Sequence, residues 1–282
     1  MNARERRIYW NRERNKAARY IAKYRTKFFN ALQSDARRFL NAYQESPQAA
    51  RRFTNDLLTS PQITNTLSQI VREVGVPYAR QNYNELRTQK GLGTSLEWIQ
   101  EIMQYLGLNF YDKGVFRIVQ TSRELFVAAL NKAVEQGWGY YDMARYIETT
   151  LTGINRNRAE LIARTEVGRA IHSGSFVGAR KSPFAKQKQW IAAKDNRTRG
   201  NPFNDRTPQD QAKRNPDHYY LDGVTVDFDE KFIDPRSGSE LEHPHDPNAP
   251  ANEVINCRCT FAVTNKRDEQ GRLVRRQLTA FT

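Results

Sequence analysis

The sequence predicts an α+β protein in which a long, mostly helical N-terminal region precedes a small, loop-rich antiparallel β module. Through residues 1–180, apolar residues recur at spacings of three, four and seven, which is the period of an amphipathic helix. After Pro183, short apolar runs alternate with segments rich in Pro, Asp, Asn and Gly, a pattern typical of strands joined by loops. The change in composition near residue 183 therefore separates a helical part from a β part.

The helical part begins with a basic helix whose apolar positions run from Ala17 to Leu40, and Pro47 interrupts the pattern. Thr94 or Ser95 is the expected N-cap of a later helix. The remaining pattern predicts helices over residues 49–58, 61–90 with a break or kink at Pro77, 95–105, 112–136, 140–150 and 155–179.

The β part is predicted to contain three short features. Residues 187–192 read as a strand, and residues 218–230, "HYYLDGVTVDFDE", predict a hairpin that turns at Asp222-Gly223. A last strand falls within residues 253–265, and the segments 200–218 and 234–252 are expected to be loops. The predicted organisation is a basic helical arm (1–45), a helical domain (46–154), an α+β domain (155–264) and a basic C-terminal tail (265–282).

The charge is concentrated at the start of the chain. The formal net charge is +14, and residues 1–40 hold twelve Lys or Arg against three acidic residues. Such clusters attract polyanions because neutralised phosphates release their counterions, and Tyr9 and Trp10 lie among the cations. A solvated helix face is the alternative. The candidate DNA-binding residues are Arg4, Arg6, Arg7, Arg12, Arg14, Lys16, Arg19 and Lys23.

The sequence also predicts where the protein is made. The start "MNARERRIYW" is charged and no apolar signal segment follows it, and no window approaches the roughly 18 apolar residues of a membrane span. Two cysteines at i and i+2 are not a secreted disulfide framework. We therefore expect a soluble protein, made in a reducing compartment and without membrane contact.

The two cysteines, Cys257 and Cys259, stand in "EVINCRCTFAV". On an extended chain, positions i and i+2 share a face, and a disulfide between them would be strained. They are either small buried hydrophobic residues or half of a zinc site completed by histidines. The predicted ligand set is Cys257, Cys259, His218 and His243, with zinc as the one cofactor considered. A Cys–His nucleophile pair is a further alternative.

A polar network is expected beside the cysteine strand, formed by Asp195, Arg197, Arg199 and His218, and its expected role is to hold long loops on a small sheet. Arg164 and Glu166 are two apart on a helix, so we expect one of them to reach this network and the other to face solvent. We expect an exposed loop at His243 and His245, which flank Pro244.

The order of these pieces resembles one known family. "ARTEVGRA" (163–170) on a helix is followed by Trp190 before "AAKDNRTR" (192–199), by a histidine ahead of "LDG" (221–223), and by "HPHDPNAPANEVINCRCTF" (243–261). This order resembles the phage Mu protein F-like family of minor head, or head morphogenesis, proteins. The preceding residues fit the helical region that such proteins carry before this domain.

The resemblance implies a structural minor head protein of a tailed bacteriophage, acting in head morphogenesis at the portal vertex. The implied partners are the portal protein, the major capsid or scaffolding protein and packaged double-stranded DNA. The implied location is the virion, in the head interior or at the portal vertex, and the host cytoplasm during assembly. No catalytic residue is expected. One alternative is an enzyme that acts on a polyanion or a protein through Asp195, His218 and Cys257; the other is a metal-stapled binding module in a non-viral setting.

Overall fold

The computed structural model describes residues 1–86, 95–106, 110–184, 186–202 and 216–275, and for residues 95–96 and 110–113 it describes the backbone alone. The predicted α+β class is confirmed. The expected N-cap at Thr94, most of the loop 200–218 and the tail beyond residue 275 lie outside the described residues.

The helices follow the predicted pattern closely. Ser46 caps α2 (Pro47–Asp56), because its hydroxyl oxygen accepts a 3.0 Å hydrogen bond from the Ala49 backbone N–H, and Pro47 occupies the first helical position. Helix is predicted over residues 61–90 with a break or kink at Pro77; in the described part of this region, a π-helical turn, Val71–Gly75, divides the helix just before Pro77. The helices are α1 (Ala3–Glu45), α2 (Pro47–Asp56), α3 (Pro61–Ile70), α4 (Val76–Glu85), α5 (Ser95–Leu106), α6 (Phe110–Gln136), α7 (Tyr140–Tyr146), a second π-helical turn (Ile147–Leu151), α8 (Thr152–Arg180) and the short α9 (Ala251–Val254).

Among the described residues, the β module holds a three-stranded antiparallel sheet and a two-stranded one. In the larger sheet β1 (Lys186–Ile191) lies between β2 (Thr225–Asp227) and β5 (Thr260–Asn265), and Trp190 of β1 lies opposite Phe261 of β5. In the smaller sheet Phe232 lies opposite Leu241. The strands are β1 (Lys186–Ile191), β2 (Thr225–Asp227), β3 (Phe232–Ile233), β4 (Glu240–Leu241) and β5 (Thr260–Asn265).

The hairpin predicted for residues 218–230 is wrong. Residues 218–223 form turns, and β2 pairs with β1 instead. The reason is that the Asp222-Gly223 segment docks on the end of β1. Its Gly223 N–H donates to the Trp190 carbonyl at 2.8 Å, and the Asp222 carboxylate accepts the Ala192 N–H at 3.0 Å.

The chain divides into two compact units, each built from separate segments. The first comprises Met1–Tyr20, Val71–Leu106 and Thr165–Thr282, and the second comprises Ile21–Ile70 and Gly107–Arg164. The predicted division into consecutive domains stays a prediction. In the second unit, Phe39 stacks on Phe126 with ring centroids 4.5 Å apart.

In the first unit, α8 passes very close to the π-helical turn and α4. A Cβ on Gly174 would lie 2.2 Å from the Gly75 carbonyl oxygen, and one on Gly178 would lie 2.0 Å from the Ala79 carbonyl oxygen. Only glycine allows two backbones to approach this closely. Across the described ranges, no helix is both long enough and apolar enough to span a membrane.

Candidate functional site

Both cysteine sulfurs face the same imidazole nitrogen. The Nδ1 atom of His218 lies 3.5 Å from Cys257 Sγ and 3.9 Å from Cys259 Sγ. The other ring nitrogen, Nε2, lies 2.8 Å from a carboxylate oxygen of Glu253. The second oxygen of Glu253 accepts a 2.6 Å hydrogen bond from the Ser237 hydroxyl. Cys257, Cys259, His218 and Glu253, which we call the thiol–imidazole cluster, are all buried.

The fold brings this cluster together from distant parts of the chain. Glu253 lies on α9, which ends at Val254. Asn256, with a φ of 60°, then turns the chain, and both cysteines lie between this turn and β5. The ring of His218 meets the Trp190 ring of β1 edge to face, with centroids 5.1 Å apart. Since both cysteines also belong to the hydrophobic core around Trp190, the cluster is part of that core.

The proton equilibria of the cluster are coupled. The hydrogen bond between the two sulfur groups lowers the pKa of Cys257 and raises that of Cys259. Burial lowers the pKa of His218, but the Cys257 sulfur and Glu253 outweigh it and raise that pKa to about 9. The protein without metal therefore favours a buried thiolate beside a protonated imidazole.

His243 lies outside this cluster, contrary to the predicted ligand set. Its Nε2 shares a 2.9 Å hydrogen bond with the Tyr105 hydroxyl, and its Nδ1 lies 2.8 Å from the Pro244 carbonyl oxygen. The exposed loop expected at His243 and His245 is also wrong, because both side chains are buried. The Nδ1 atoms of His245 and His172 lie 3.1 Å apart.

Burial dominates the chemistry of these three histidines. It lowers the pKa of His172, His243 and His245 to about 3, so all three are neutral near pH 7. A Cβ on Gly168 would lie 2.6 Å from the His245 ring, which shows how closely α8 covers it. The His243 ring also stacks on Phe261, with an interplanar angle of 15°.

The expected polar network is present in part. Asp195 forms a 2.5 Å ion pair with Arg258 and accepts the Arg197 backbone N–H at 3.0 Å, while the Arg197 side chain is exposed. The Arg199 guanidinium donates to the Ile255 carbonyl. His218 takes Glu253, rather than Asp195, as its carboxylate partner.

Arg164 and Glu166 form ion pairs within α8. Arg164 lies 2.6 Å from Glu160, and Glu166 lies 2.8 Å from Arg169. Glu166 is buried and Arg164 is half-buried, so the expectation that one of them faces solvent is wrong. Each ion pair joins two residues that are one helical turn apart on α8.

The basic start of α1 packs on the β module within the first unit. Arg6 forms a 3.0 Å ion pair with Asp222, and Arg7 donates to the Ala193 carbonyl at 2.9 Å. Glu13 is buried and pairs with Arg12 and Lys16. Of the remaining predicted DNA-binding residues of this helix, Lys16 is half-buried, and the others are exposed: Arg4, Arg12, Arg14, Arg19 and, in the second unit, Lys23.

Sequence reasoning missed Glu253 of the thiol–imidazole cluster and Ser237, which donates a hydrogen bond to Glu253, and it missed His172. The available signal was the single acidic residue of "ANEVINC", Glu253, four residues before Cys257. The structure shows that this side chain is buried. His172 gave no signal beyond its place on an apolar helix.

This fold defines a class of α+β protein in which a helical region precedes a small β module that carries the cysteines. The family model described as "Phage Mu protein F like protein" matches residues 126–202, so the resemblance drawn from the motifs is confirmed over that range. The matched range ends before His218 and the cysteine pair. This part of the chain is therefore similar to the phage Mu protein F-like proteins.

One relative among curated proteins is the uncharacterized protein YqbB of Bacillus subtilis (strain 168). It is 27% identical over 171 residues, which is 59% of this chain and 46% of that protein. The chain therefore spans less than half the length of this relative. No solved structure matches the chain.

Proposed function

We propose that this protein is a structural minor head protein of a tailed bacteriophage that acts in head morphogenesis at the portal vertex. The observation that carries the proposal is the match of residues 126–202 to the phage Mu protein F-like family. Its partners are the portal protein and the major capsid or scaffolding protein. Packaged double-stranded DNA is contacted through the basic N-terminal helix.

Two of the predicted DNA-binding residues have a structural role. Arg6 and Arg7 attach the first turns of α1 to the β module through Asp222 and the Ala193 carbonyl. The start of α1 is thus attached to the β module, and the other arginines of residues 1–20 extend from this attached segment.

The exposed arginines make the outer side of this segment cationic. Of the two acidic residues among them, Glu13 is buried and is neutralised by Arg12 and Lys16, whereas Glu5 is exposed. Arg14 lies 5.0 Å from the ring centroid of Trp10, which helps to order it. Ordered surface cations lose less entropy when they neutralise phosphates. We assign the DNA contact to Arg4, Arg12, Arg14 and Arg19.

DNA binding by charge variants tests this assignment. The test variant carries R4Q, R12Q, R14Q and R19Q; the control carries R51Q, R52Q, R145Q and R156Q, which are also exposed and lower the charge equally. The salt dependence of the affinity for random double-stranded DNA is measured by fluorescence anisotropy. Each lost phosphate contact reduces the slope of log K against log salt by about 0.9, so the test variant is expected to lose about 3–4 units. Equal slopes for the two variants would refute the assignment.

The portal contact is tested separately by co-expression with the portal protein of the same phage. We expect the two proteins to co-elute in size-exclusion chromatography, and the four-arginine test variant to co-elute as well. Failure of the unchanged protein to bind the portal would remove the portal from the proposal.

An enzyme is the second candidate, and one arrangement favours it. Hydrogen bonds link Cys257 to His218 and His218 to Glu253. The thiol, the imidazole and the carboxylate are therefore arranged like a nucleophile, a base and a group that orients the base. His218 and Cys257 are only 1% and 2% exposed, which leaves no open approach to the sulfur among the described residues. Cys257→Ser separates the two ideas: an assembly protein loses folding or incorporation into heads, whereas an enzyme keeps its fold and loses turnover.

A further inference from the structure

We propose that Cys257, Cys259 and His218 bind one zinc ion, and that Glu253 orients the histidine ligand. This site goes beyond the assembly role and does not depend on it. Nothing in the match over residues 126–202 bears on it, because all three ligands lie beyond that range.

The distances between the donor atoms fit a tetrahedral zinc ion. Zinc binds thiolate sulfur at about 2.3 Å and imidazole nitrogen at about 2.0–2.1 Å, so two such ligands of a tetrahedron lie about 3.6 Å apart. The His218 Nδ1 atom lies 3.5 Å and 3.9 Å from the two sulfurs. All three donor atoms lie within 4.8 Å of one another. The ligands therefore need little movement to close around the ion.

The outer hydrogen bonds are those that a zinc site requires. A metal-bound histidine donates its other ring N–H to a carboxylate, which fixes the tautomer, and His218 Nε2 lies 2.8 Å from Glu253. Glu253 is held in turn by the Ser237 hydroxyl. A backbone hydrogen bond from Ala193 reaches Cys259. When zinc binds it displaces the Nδ1 proton, so that His218 keeps its proton on Nε2 and offers the Nδ1 lone pair to the ion.

A second set of buried groups, His218, Asp234 and Glu253, is also close enough to hold an ion. Its donors are already used. Asp234 accepts backbone N–H groups from Asp217 at 2.7 Å and from Ser237 at 2.7 Å. His218 Nε2 is engaged by Glu253. The thiol side is therefore the binding side, and soft thiolates select zinc over hard cations such as magnesium.

The ion would tie two segments that are far apart in sequence. His218 follows the long segment after residue 202, and the cysteines precede β5. Small modules with thin cores gain stability from such links. The described residues supply three ligands, and a water molecule or another donor completes the tetrahedron.

The first experiment measures metal in the full-length protein, purified under reducing conditions without chelator. Elemental analysis is expected to give about one zinc per chain. Removal of zinc by a chelator should lower the melting temperature, and added zinc should restore it. The proposal would be overturned by a folded protein that contains less than about a tenth of a zinc per chain and whose melting temperature changes neither with chelator nor with added zinc.

The second experiment identifies the ligands with cobalt(II), which replaces zinc and absorbs in the near ultraviolet when thiolates bind it. Cys257→Ser and Cys259→Ser should each lose about half of this absorption, because two thiolates contribute to it. His218→Gln should abolish tight binding, and His243→Gln, a matched histidine outside the site, should retain it. If His243→Gln loses the metal and His218→Gln keeps it, the ligand assignment is wrong.

The third experiment tests Glu253 as a positioning residue. Glu253→Gln keeps a side-chain oxygen that can accept the His218 N–H but removes the charge. We expect zinc affinity to fall about 10–100-fold while the thiolate–cobalt absorption is unchanged. Unchanged affinity would remove Glu253 from the site.

Discussion

The indole N–H of Trp10 donates a 2.9 Å hydrogen bond to the main-chain carbonyl of Arg258. Arg258 stands between the two cysteines, so this bond joins the basic N-terminal helix to the segment that carries the candidate metal ligands. The neighbouring Tyr9 hydroxyl donates to the Phe261 carbonyl at 3.3 Å. Within the first unit, the start of α1 is thus a structural part of the β module.

Trp10→Phe should lower the free energy of unfolding by about 1–3 kcal/mol, because the partly buried hydrogen bond to the Arg258 carbonyl is lost. Trp98→Phe is the matched control: Trp98 is also buried, and its indole N–H has no hydrogen-bond partner among the described residues. Both substitutions remove the same side-chain volume, but only Trp10→Phe also removes a hydrogen bond. The free energies of unfolding of the two variants are compared by urea unfolding. An equal cost for the two substitutions would contradict the role given to the Trp10 bond.

Gly174→Ala should destabilise the protein by about 1–3 kcal/mol or more, since the added methyl group meets the rigid backbone of Gly75. The matched control on the same helix is Gly153→Ala, where a Cβ meets nothing within 4 Å. That control should be neutral or stabilising by up to about 1 kcal/mol, because alanine favours helix. Thermal unfolding of both variants tests the close approach, and a tolerated Gly174→Ala would show that α8 does not lie against the π-helical turn.

Stability should fall as the pH is lowered from 7 to 5. The pKa of His172, His243 and His245 is about 3 in the folded protein, below the ordinary value of about 6.5. Protons therefore bind the unfolded chain first, and the stability present above pH 6.5 is lost toward pH 3, by up to about 1.4 kcal/mol per pH unit for each histidine.

His243→Phe isolates one of these three contributions, since phenylalanine can occupy the aromatic pocket beside Phe261 without titrating. The free energy of unfolding is measured by urea unfolding at several pH values. Its slope against pH should decrease by the contribution of one bound proton, which is about 1.4 kcal/mol per pH unit. Equal slopes for the variant and the unchanged protein would mean that His243 is not buried as a neutral group.

Local patterns predicted the helices well and the contacts between loops poorly. The apolar spacing from Ala17 to Leu40 indicated α1, and Pro47 indicated its end. The separation of two residues between Cys257 and Cys259 correctly placed both sulfurs on one side of the chain, because extended geometry alone decides this.

Long-range packing decided the features that were mispredicted. Asp222-Gly223 has the sequence of a hairpin turn, but its backbone docks on β1 because Trp190 and Ala192 offer free hydrogen-bonding groups there. His243 and His245 lie in a segment rich in Pro and Asp, which predicts exposure, yet they are covered by residues of α5 and α8 from another part of the chain. Glu253 became the partner of His218 through the same kind of distant contact.

The location of this chain in the phage particle tests the central claim most directly. Procapsids and virions of the source phage are purified through density gradients, and the chain is quantified against the portal protein by mass spectrometry. A minor head protein is expected in both particles at low copy number, and it should be missing from heads assembled without the portal. Its absence from procapsids and virions alike would contradict the account.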